Sequence, residues 1–195
     1  MKKKKLINIL GYKNDRPTIL VVGGSGGAGT INNSILKDMD KITGSYAQMI
    51  WQTGKFYIHD ITAKTSEKRL DNIRIHAFID RMDYAYAIAD IVVSRAGATS
   101  ISELELLKKP VILVPSPNVT EDHQTKNARA LTSEHAAILV TDVEAKDRLV
   151  DTMLALLTDK PLQEKLSKNI AGFAKADAAD HIVDQIVKLL ELRKM

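Results

Sequence analysis

The stretch Val93-Ser94-Arg95-Ala96-Gly97-Ala98-Thr99-Ser100-Ile101-Ser102-Glu103 predicts a strand, a glycine turn and a helix in immediate succession. The apolar run 91–93 is short, β-branched and without alternation, which is typical of a strand buried on both faces of a parallel sheet. Thr99 and Ser100 are candidate N-caps, and we expect Glu103 in the first turn of the helix. The turn is a candidate anion site, because the first turn of a helix presents unpaired N–H groups.

Two residues of this stretch carry further expectations, and one of them, Glu103, leaves alternatives open. The Glu103 carboxylate can accept hydrogen bonds from the two hydroxyls of a ribose, but acidic residues near a helix N-terminus are also common for the macrodipole alone. We expect Gly97 to adopt a turn conformation that β-branched residues resist.

Composition restricts the class of protein. The chain has 195 residues, of which 45% are hydrophobic and 27% charged, as in ordinary globular proteins. It has no cysteine, which excludes disulfides and thiolate metal sites. The net charge of +4 depends on the run Lys2–Lys5, which is either a solvated face or a contact with anionic lipid. Positive and negative charges are interspersed in the rest of the chain, so we expect no nucleic-acid partner. Without an apolar run of ~20 residues or a signal peptide, we expect a cytoplasmic location.

A glycine-rich loop follows the first predicted strand, Thr18–Val22. The sequence Gly23-Gly24-Ser25-Gly26-Gly27-Ala28-Gly29 matches G-x-G-x-x-G at Gly24, Gly26 and Gly29, between a strand and a helix predicted from about Thr30 to Met39, as in the dinucleotide-binding fingerprint. The loop therefore predicts close approach of a phosphate or sugar to the backbone.

The second strand argues against a nicotinamide cofactor. It covers 47–52 and ends in Gln52, where a dinucleotide-binding fold has an acid that holds the ribose. Ser25 is either a hydroxyl donor to a ligand or a small turn residue. We predict no cofactor.

Two further strand ends carry candidate ligand contacts. Phe78-Ile79 lies at the C-terminal end of the third strand, 72–78. There the backbone groups of Ile79 could read a base edge, with Met82 as an apolar wall. Phe78 as a core residue is the alternative.

The loop after the fifth strand, 110–115, leads into a helix that carries His123, Gln124 and Asn127 in its first turns. Neutral polar groups of this kind suit a sugar better than a metal. No histidine pair has metal-ligand spacing, so we predict no metal.

The pattern as a whole predicts an α/β domain. A sixth strand at 136–140 is followed by helices at about 143–157, 162–173 and 178–192. We predict a Rossmann-like, doubly wound parallel sheet of about six strands over residues 18–195, with residues 1–17 as a linker.

Four motifs in one order carry a resemblance to a known family. The glycine loop, Phe78-Ile79, the stretch 94–103 and the segment from Pro115 through Asn127 together resemble the C-terminal half of the MurG family of GT-B glycosyltransferases. The resemblance covers the chain from about Thr18 to its end. It implies the donor-binding domain of an inverting hexosyltransferase that transfers N-acetylglucosamine from UDP-GlcNAc to lipid I, forming lipid II for peptidoglycan.

The resemblance also implies roles for individual residues. Glu103 would hold the ribose hydroxyls, and backbone groups of Ile79 would contact the uracil. Thr99 and Ser100 would contact the diphosphate, with Ser25 nearby. His123 and Gln124 would contact the GlcNAc hydroxyls. His123 departs from the family, which often has two glutamines at these positions. The predicted donor-binding residues are Gly24, Ser25, Gly26, Phe78, Ile79, Met82, Arg95, Gly97, Ala98, Thr99, Ser100, Glu103, His123, Gln124 and Asn127.

The family's N-terminal acceptor domain, with its lipid I site, membrane-facing patch and catalytic base, has no counterpart in these residues. We therefore expect this chain to bind donor without catalysis and to contain no catalytic residue. The resemblance also implies that the full-length protein lies on the cytoplasmic face of the inner membrane. If the last helix packs against the acceptor domain, some of the residues Ile182, Ile186 and Leu189 should be unusually exposed here. The alternatives are the donor domain of another GT-B UDP-sugar enzyme, an epimerase or glycolipid transferase, and, less favoured, an NAD-binding module.

Overall fold

The computed structural model describes residues 11–13, 15–118 and 122–192. Its centre is a six-stranded sheet in the order β3-β2-β1-β4-β5-β6, and every pairing is parallel. The strands are β1 (Thr18–Val22), β2 (Gln48–Gln52), β3 (Ile73–His76), β4 (Ile91–Ser94), β5 (Val111–Leu113) and β6 (Ile138–Leu139). This order is that of dinucleotide-binding folds, so the predicted doubly wound α/β class is confirmed.

Nine helices lie within the described residues. They are α1 (Gly29–Lys37), α2 (Met39–Thr43), α3 (Ile58–Thr65), α4 (Met82–Ile88), α5 (Ala98–Leu107), α6 (His123–Ser133), α7 (Asp142–Thr158), α8 (Lys160–Ala171) and α9 (Ala178–Leu192).

The core has two halves, one on each face of the sheet. Successive residues of a strand point to opposite faces, so Ile19 and Val21 pack with α1, α2, α3 and α7, whereas Leu20 and Val22 pack with α4, α5 and α6. All five residues of β1 are buried, because both faces of this central strand are covered. Its first residue is also fixed: Thr18 N donates to Asp90 Oδ2 at 2.8 Å, and Asp90 N donates to the Thr18 carbonyl.

Several predicted boundaries were wrong. The first helix was predicted to run to Met39 but divides at Asp38, where the backbone leaves helical geometry between α1 and α2. The fifth strand is shorter than the predicted 110–115, because proline lacks the N–H that a sheet requires and stands at both ends, Pro110 and Pro115.

The amino end of the sheet holds the described part of the predicted linker 1–17, of which residues 1–10 and 14 lie outside the described residues. The buried Gln48 amide donates to the carbonyls of Lys13 and Arg16 and to Thr18 Oγ1. Its Oε1 accepts from Lys13 N at 2.9 Å. One side chain of β2 therefore fixes the segment that leads into β1.

The last helix differs from the rest of the molecule. Six apolar side chains of α9 are 45–63% exposed: Ile182, Val183, Ile186, Val187, Leu189 and Leu190. The predicted exposure of Ile182, Ile186 and Leu189 is confirmed. In the described part of the chain, no helix combines the length and apolarity that crossing a membrane requires.

Candidate functional site

The glycine loop, residues 23–28, connects β1 to α1 at the carboxyl edge of the sheet. Gly24 has a φ of +84° and accepts a hydrogen bond from Gly27 N at 3.2 Å. Gly24 and Ser25 are exposed, and the Ser25 carbonyl accepts from Lys55 N. The loop thus presents its tip to solvent while its base is fixed by neighbouring backbone.

The base of this loop interlocks with the turn after β2. A Cβ on Gly27 would overlap the Thr53 carbonyl oxygen, and one on Gly54 would overlap Gly27 itself. Asn32 supports the same turn: its Nδ2 donates to the Thr53 carbonyl at 2.9 Å, and its Oδ1 accepts from Trp51 Nε1 at 3.0 Å. The glycines at 27 and 54 therefore serve the contact between two loops.

The turn after β4 opens the helix α5. Gly97 occupies the N-cap position, and its carbonyl accepts from Ile101 N at 3.0 Å. The N–H groups of Ala98, Thr99 and Ser100 lie in the first turn, where no intrahelical acceptor exists. The prediction that Thr99 or Ser100 is the N-cap was wrong, because the helix begins one residue before Thr99.

Two expectations about this turn need correction. Gly97 has φ −69° and ψ 145°, an extended conformation that any residue adopts, and a Cβ there would meet no atom within 4 Å. The strained turn expected at Gly97 was therefore wrong. Glu103 lies in the second turn of α5, not the first, because the helix starts at Ala98.

Tyr86, which is not among the predicted binding residues, holds Glu103. The Tyr86 hydroxyl donates to Glu103 Oε2 at 3.1 Å. Burial, and then the charge of Glu103, raise the pKa of Tyr86 well above its usual value, so the tyrosine remains a donor. Glu103 is exposed, and its Oε1 has no hydrogen-bond partner among the described residues. The carboxylate is thus oriented by one oxygen and available through the other.

The turn after β3 lines a cavity. Phe78 is 56% exposed, so its alternative interpretation as a core residue was wrong. Ile79 N donates to Gln52 Oε1 at 3.0 Å, and the Ile79 carbonyl has no hydrogen-bond partner within residues 11–13, 15–118 and 122–192. Met82 is half-buried and packs against the core. The cavity measures about 270 Å³ and is lined by Tyr12, Ile50, Arg74, His76, Phe78, Ile79, Asp80, Arg81 and Ala85.

One wall of this cavity carries a titratable group. His76, the last residue of β3, is half-buried, and burial followed by the charge of Arg74 lowers its pKa. The imidazole is therefore held in its neutral form to a lower pH than in an unfolded chain.

The loop after β5 places three predicted sugar contacts at the start of α6. Gln124 Oε1 accepts from Ser116 N at 2.9 Å, which leaves its Nε2 without a partner among the residues described here. Asn127 Nδ2 donates to the Ala96 carbonyl at 3.2 Å, so Asn127 connects α6 to the turn before α5. His123 is exposed at the first position of α6.

Arg95 points towards the protein rather than the loop tips. Its Nη1 pairs with Asp142 Oδ1 at 2.6 Å and also donates to the carbonyls of Val114 and Pro115. Asp142 in turn accepts from Thr30 Oγ1 at 2.7 Å. The guanidinium therefore connects β4, β5, α7 and α1, and a contact between Arg95 and a ligand stays a prediction.

The carboxyl ends of the strands bring these groups to one edge. Val22 at the end of β1 is in register with Gln52 and with Ser94, and these are in register with His76 and Leu113 respectively. The glycine loop and the α5 N-terminus flank the point between β1 and β4 where the strand order reverses, which is where open α/β sheets bind ligands. The described residues contain no group of three or more His, Cys, Asp or Glu that could hold a metal ion.

Comparison with known proteins agrees with this arrangement. The chain is 50% identical over 190 residues to a protein of Parabacteroides distasonis named UDP-N-acetylglucosamine--N-acetylmuramyl-(pentapeptide) pyrophosphoryl-undecaprenol N-acetylglucosamine transferase, covering 97% of this chain and 52% of the relative. A protein of the same name from Porphyromonas gingivalis is 50% identical, with 98% of this chain and 51% of the relative covered. The chain therefore spans about half the length of these relatives.

A solved structure shares the fold. The crystal structure of Acinetobacter baumannii MurG matches with a TM-score of 0.78 and 26% identity, covering 96% of this chain and 53% of that one. Residues 18–182 match the family described as Glycosyltransferase family 28 C-terminal domain. The sheet order, the site at its carboxyl edge and this match over most of the chain lead to one conclusion: the chain belongs to the C-terminal domain family of glycosyltransferase family 28.

Proposed function

We propose that this chain is the UDP-GlcNAc-binding half of the transferase that converts lipid I to lipid II. The observation that carries the proposal is the carboxyl edge of the sheet, where the open N-terminus of α5 lies beside the glycine loop and Glu103 is held by Tyr86. The names of the relatives at 50% identity support the donor, the acceptor and the reaction class.

The diphosphate binds at the start of α5 in this proposal. The N–H groups of Ala98, Thr99 and Ser100 and the positive end of the helix dipole offset its charge. Gly97 leaves open space at this position, which allows an anion to approach the backbone closely. Ser25 and the exposed Gly24 tip of the glycine loop contact the phosphates from the other side.

Glu103 binds the ribose through the oxygen that Tyr86 does not hold. Because Tyr86 is buried and its hydroxyl stays protonated, it fixes the carboxylate orientation before the ligand arrives. Each hydrogen bond from a ribose hydroxyl to this carboxylate contributes about 1.5–3 kcal/mol of binding.

The base occupies the cavity beside Ile79. At about 270 Å³ this cavity is below the roughly 300–1,000 Å³ of whole-ligand pockets, so it suits a pyrimidine base with the rest of the donor outside. Gln52 already satisfies the Ile79 N–H, so the group available to the base is the Ile79 carbonyl, an acceptor. An acceptor pairs with the N3–H of uracil and repels the unprotonated N3 of cytosine.

The sugar contacts Gln124 and His123 at the start of α6. Gln124 is oriented by the bond between its Oε1 and Ser116 N, so its Nε2 is the donor offered to a GlcNAc hydroxyl. Asn127 supports the neighbouring turn through the Ala96 carbonyl.

The acceptor half lies outside this chain in our proposal. The chain spans about half of its relatives, and residues beyond it supply the lipid I site, the catalytic base and the contact with the cytoplasmic face of the inner membrane. The chain alone is expected to bind donor and to transfer no sugar.

Calorimetric titration with UDP, UDP-GlcNAc and NADH tests the proposal, using the wild type, Glu103→Ala and the control Glu105→Ala on the same helix. We expect both uridine ligands to bind wild type and the control, Glu103→Ala to bind them at least tenfold more weakly, and NADH not to bind. Equal UDP affinity in a folded Glu103→Ala protein refutes the ribose contact. Binding of NADH by the wild type refutes the donor class.

A further inference from the structure

One buried amide lies between the two loops that the proposed site requires. Gln52 ends β2 and is 2% exposed, and both ends of its amide are occupied. Its Nε2 donates to the Gly24 carbonyl at 3.1 Å, and its Oε1 accepts from Ile79 N at 3.0 Å. A dinucleotide-binding fold has an acid at the end of this strand that touches the ligand; here the residue touches two loops.

These two hydrogen bonds join β2 to the loops that follow its two neighbouring strands. Gly24 lies two residues beyond the end of β1, and Ile79 lies three residues beyond the end of β3, on the two sides of β2. Among the described residues, no hydrogen bond joins the glycine loop directly to the 77–80 turn, so Gln52 is their shared partner. Since the amide is planar and buried, it sets the distance between the loops.

We propose that Gln52 is a positioning residue, which holds the phosphate-facing glycine loop and the base-facing Ile79 turn at the separation that a uridine diphosphate requires. By holding the Ile79 N–H it also directs the Ile79 carbonyl towards the base. This inference rests on the proposed function, because it assigns the two loops to two parts of the same donor.

The chain provides a matched control in Gln48. Gln48 lies in the same strand, is also 2% exposed and also uses its amide fully, but it binds the leading segment at the opposite edge of the sheet. Gln52→Met and Gln48→Met each replace a buried amide by an apolar side chain of similar shape. A general loss of stability should therefore be similar in both variants.

The first measurement is titration with UDP, together with exchange of the Ile79 amide proton followed by NMR in the free protein. For Gln52→Met we expect UDP affinity to fall roughly tenfold or more, because the two loops lose the hydrogen bonds that hold them in place. We also expect exchange of the Ile79 amide proton to accelerate. For Gln48→Met we expect UDP affinity within about twofold of wild type and no change at Ile79.

A second variant gives a signature that a general packing role would not produce. In Gln52→Glu, the protonated carboxyl can donate to the Gly24 carbonyl and accept from Ile79 N, as the amide does, whereas the carboxylate repels that carbonyl. Burial raises the pKa of the introduced carboxyl. The ratio of the UDP affinity of Gln52→Glu to that of wild type should therefore be close to one at pH 5.5 and lower at pH 8. Taking the ratio removes the titration of the phosphate itself.

The outcomes separate the two proposals. If wild type fails to bind UDP, the proposed function is refuted, and the positioning role with it. If wild type binds UDP but Gln52→Met binds equally well, or weakens no more than Gln48→Met, only the positioning role is overturned. Should Gln52→Met not fold, the Gln52→Glu ratio decides: a ratio that does not change with pH overturns the role.

Discussion

Two glycine turns follow the two central strands, and they contain glycine for different reasons. In the loop after β1, Gly27 has a φ of +94° and its Cα faces the Thr53 carbonyl so closely that no side chain fits. In the turn after β4, Gly97 has an ordinary φ of −69° and open space where a Cβ would be. The first glycine is required by the fold, whereas nothing within the described chain requires the second.

The difference separates the scaffold of the site from its surface. Where a glycine is packed against backbone, its replacement changes folding. Where it borders empty space at the start of a helix, its replacement changes what can approach the N–H groups.

Gly27→Ala should destabilise the fold by about 3–5 kcal/mol. The new Cβ would meet the Thr53 carbonyl and lie 2.6 Å from the Tyr57 ring, and the backbone at residue 27 is in a left-handed conformation that alanine resists. Urea denaturation measures the free energy of unfolding. Gly97→Ala is the control and should remain within about 0.5 kcal/mol of wild type. Equal losses at the two positions would remove the distinction.

Asn32→Ala should destabilise by about 2–4 kcal/mol, because it leaves the buried Trp51 indole N–H and the Thr53 carbonyl without partners. Asn169→Ala is the matched control, since the Asn169 amide also donates to two carbonyls, but at the surface. The same unfolding measurement should give about 1 kcal/mol or less for this control. An Asn32→Ala loss no larger than that of Asn169→Ala would mean that the two loops do not depend on this side chain.

Gly97→Val should leave the stability within about 1 kcal/mol of wild type and weaken UDP binding by about 1–2 kcal/mol. The extended backbone at Gly97 accepts a β-branched residue, but its side chain fills the space before the α5 N–H groups. Calorimetry on the folded variant measures the affinity. Unchanged UDP binding would show that the ligand does not use this space.

The smallest expected effect is on the pH dependence of stability, and it involves His76 at the end of β3. Burial lowers the pKa of His76 in the folded protein, so between its unfolded value near 6.5 and its lower folded value the unfolded state binds more protons. Stability should therefore fall as the pH drops below about 6.5, and His76→Gln should remove part of this dependence. Unfolding curves at pH 7.5 and 5.5 measure it; an identical pH dependence in the variant would contradict the assignment.

Local patterns allowed most of the sheet to be predicted. The buried β-branched runs marked β1 and β4, and the glycines marked the turns that follow them. The N-cap at Gly97 was mispredicted because the preference for Thr and Ser is statistical, whereas here the Gly97 carbonyl already accepts the first helical hydrogen bond, from Ile101 N.

Contacts between residues distant in sequence could not be predicted. Arg95 and Asp142 are 47 residues apart, and Gln52 and Ile79 are 27 apart. Whether these side chains meet depends on the strand order, which no local pattern encodes. Tyr86 belonged to a visible Tyr-Ala-Tyr-Ala repeat, but only the packing of α4 beside α5 identifies it as the partner of Glu103.

The central position of β1 has a consequence for the rate at which the protein folds. Its neighbours are β2 and β4, and contacts at its first residue join positions 30 and 72 residues apart. Parallel pairing of such distant segments is slow, because the entropy of closing each loop is lost before the contacts form. A chain emerging from a ribosome leaves one edge of the apolar β1 unpaired until β4 has been made, so this strand is prone to aggregation during synthesis.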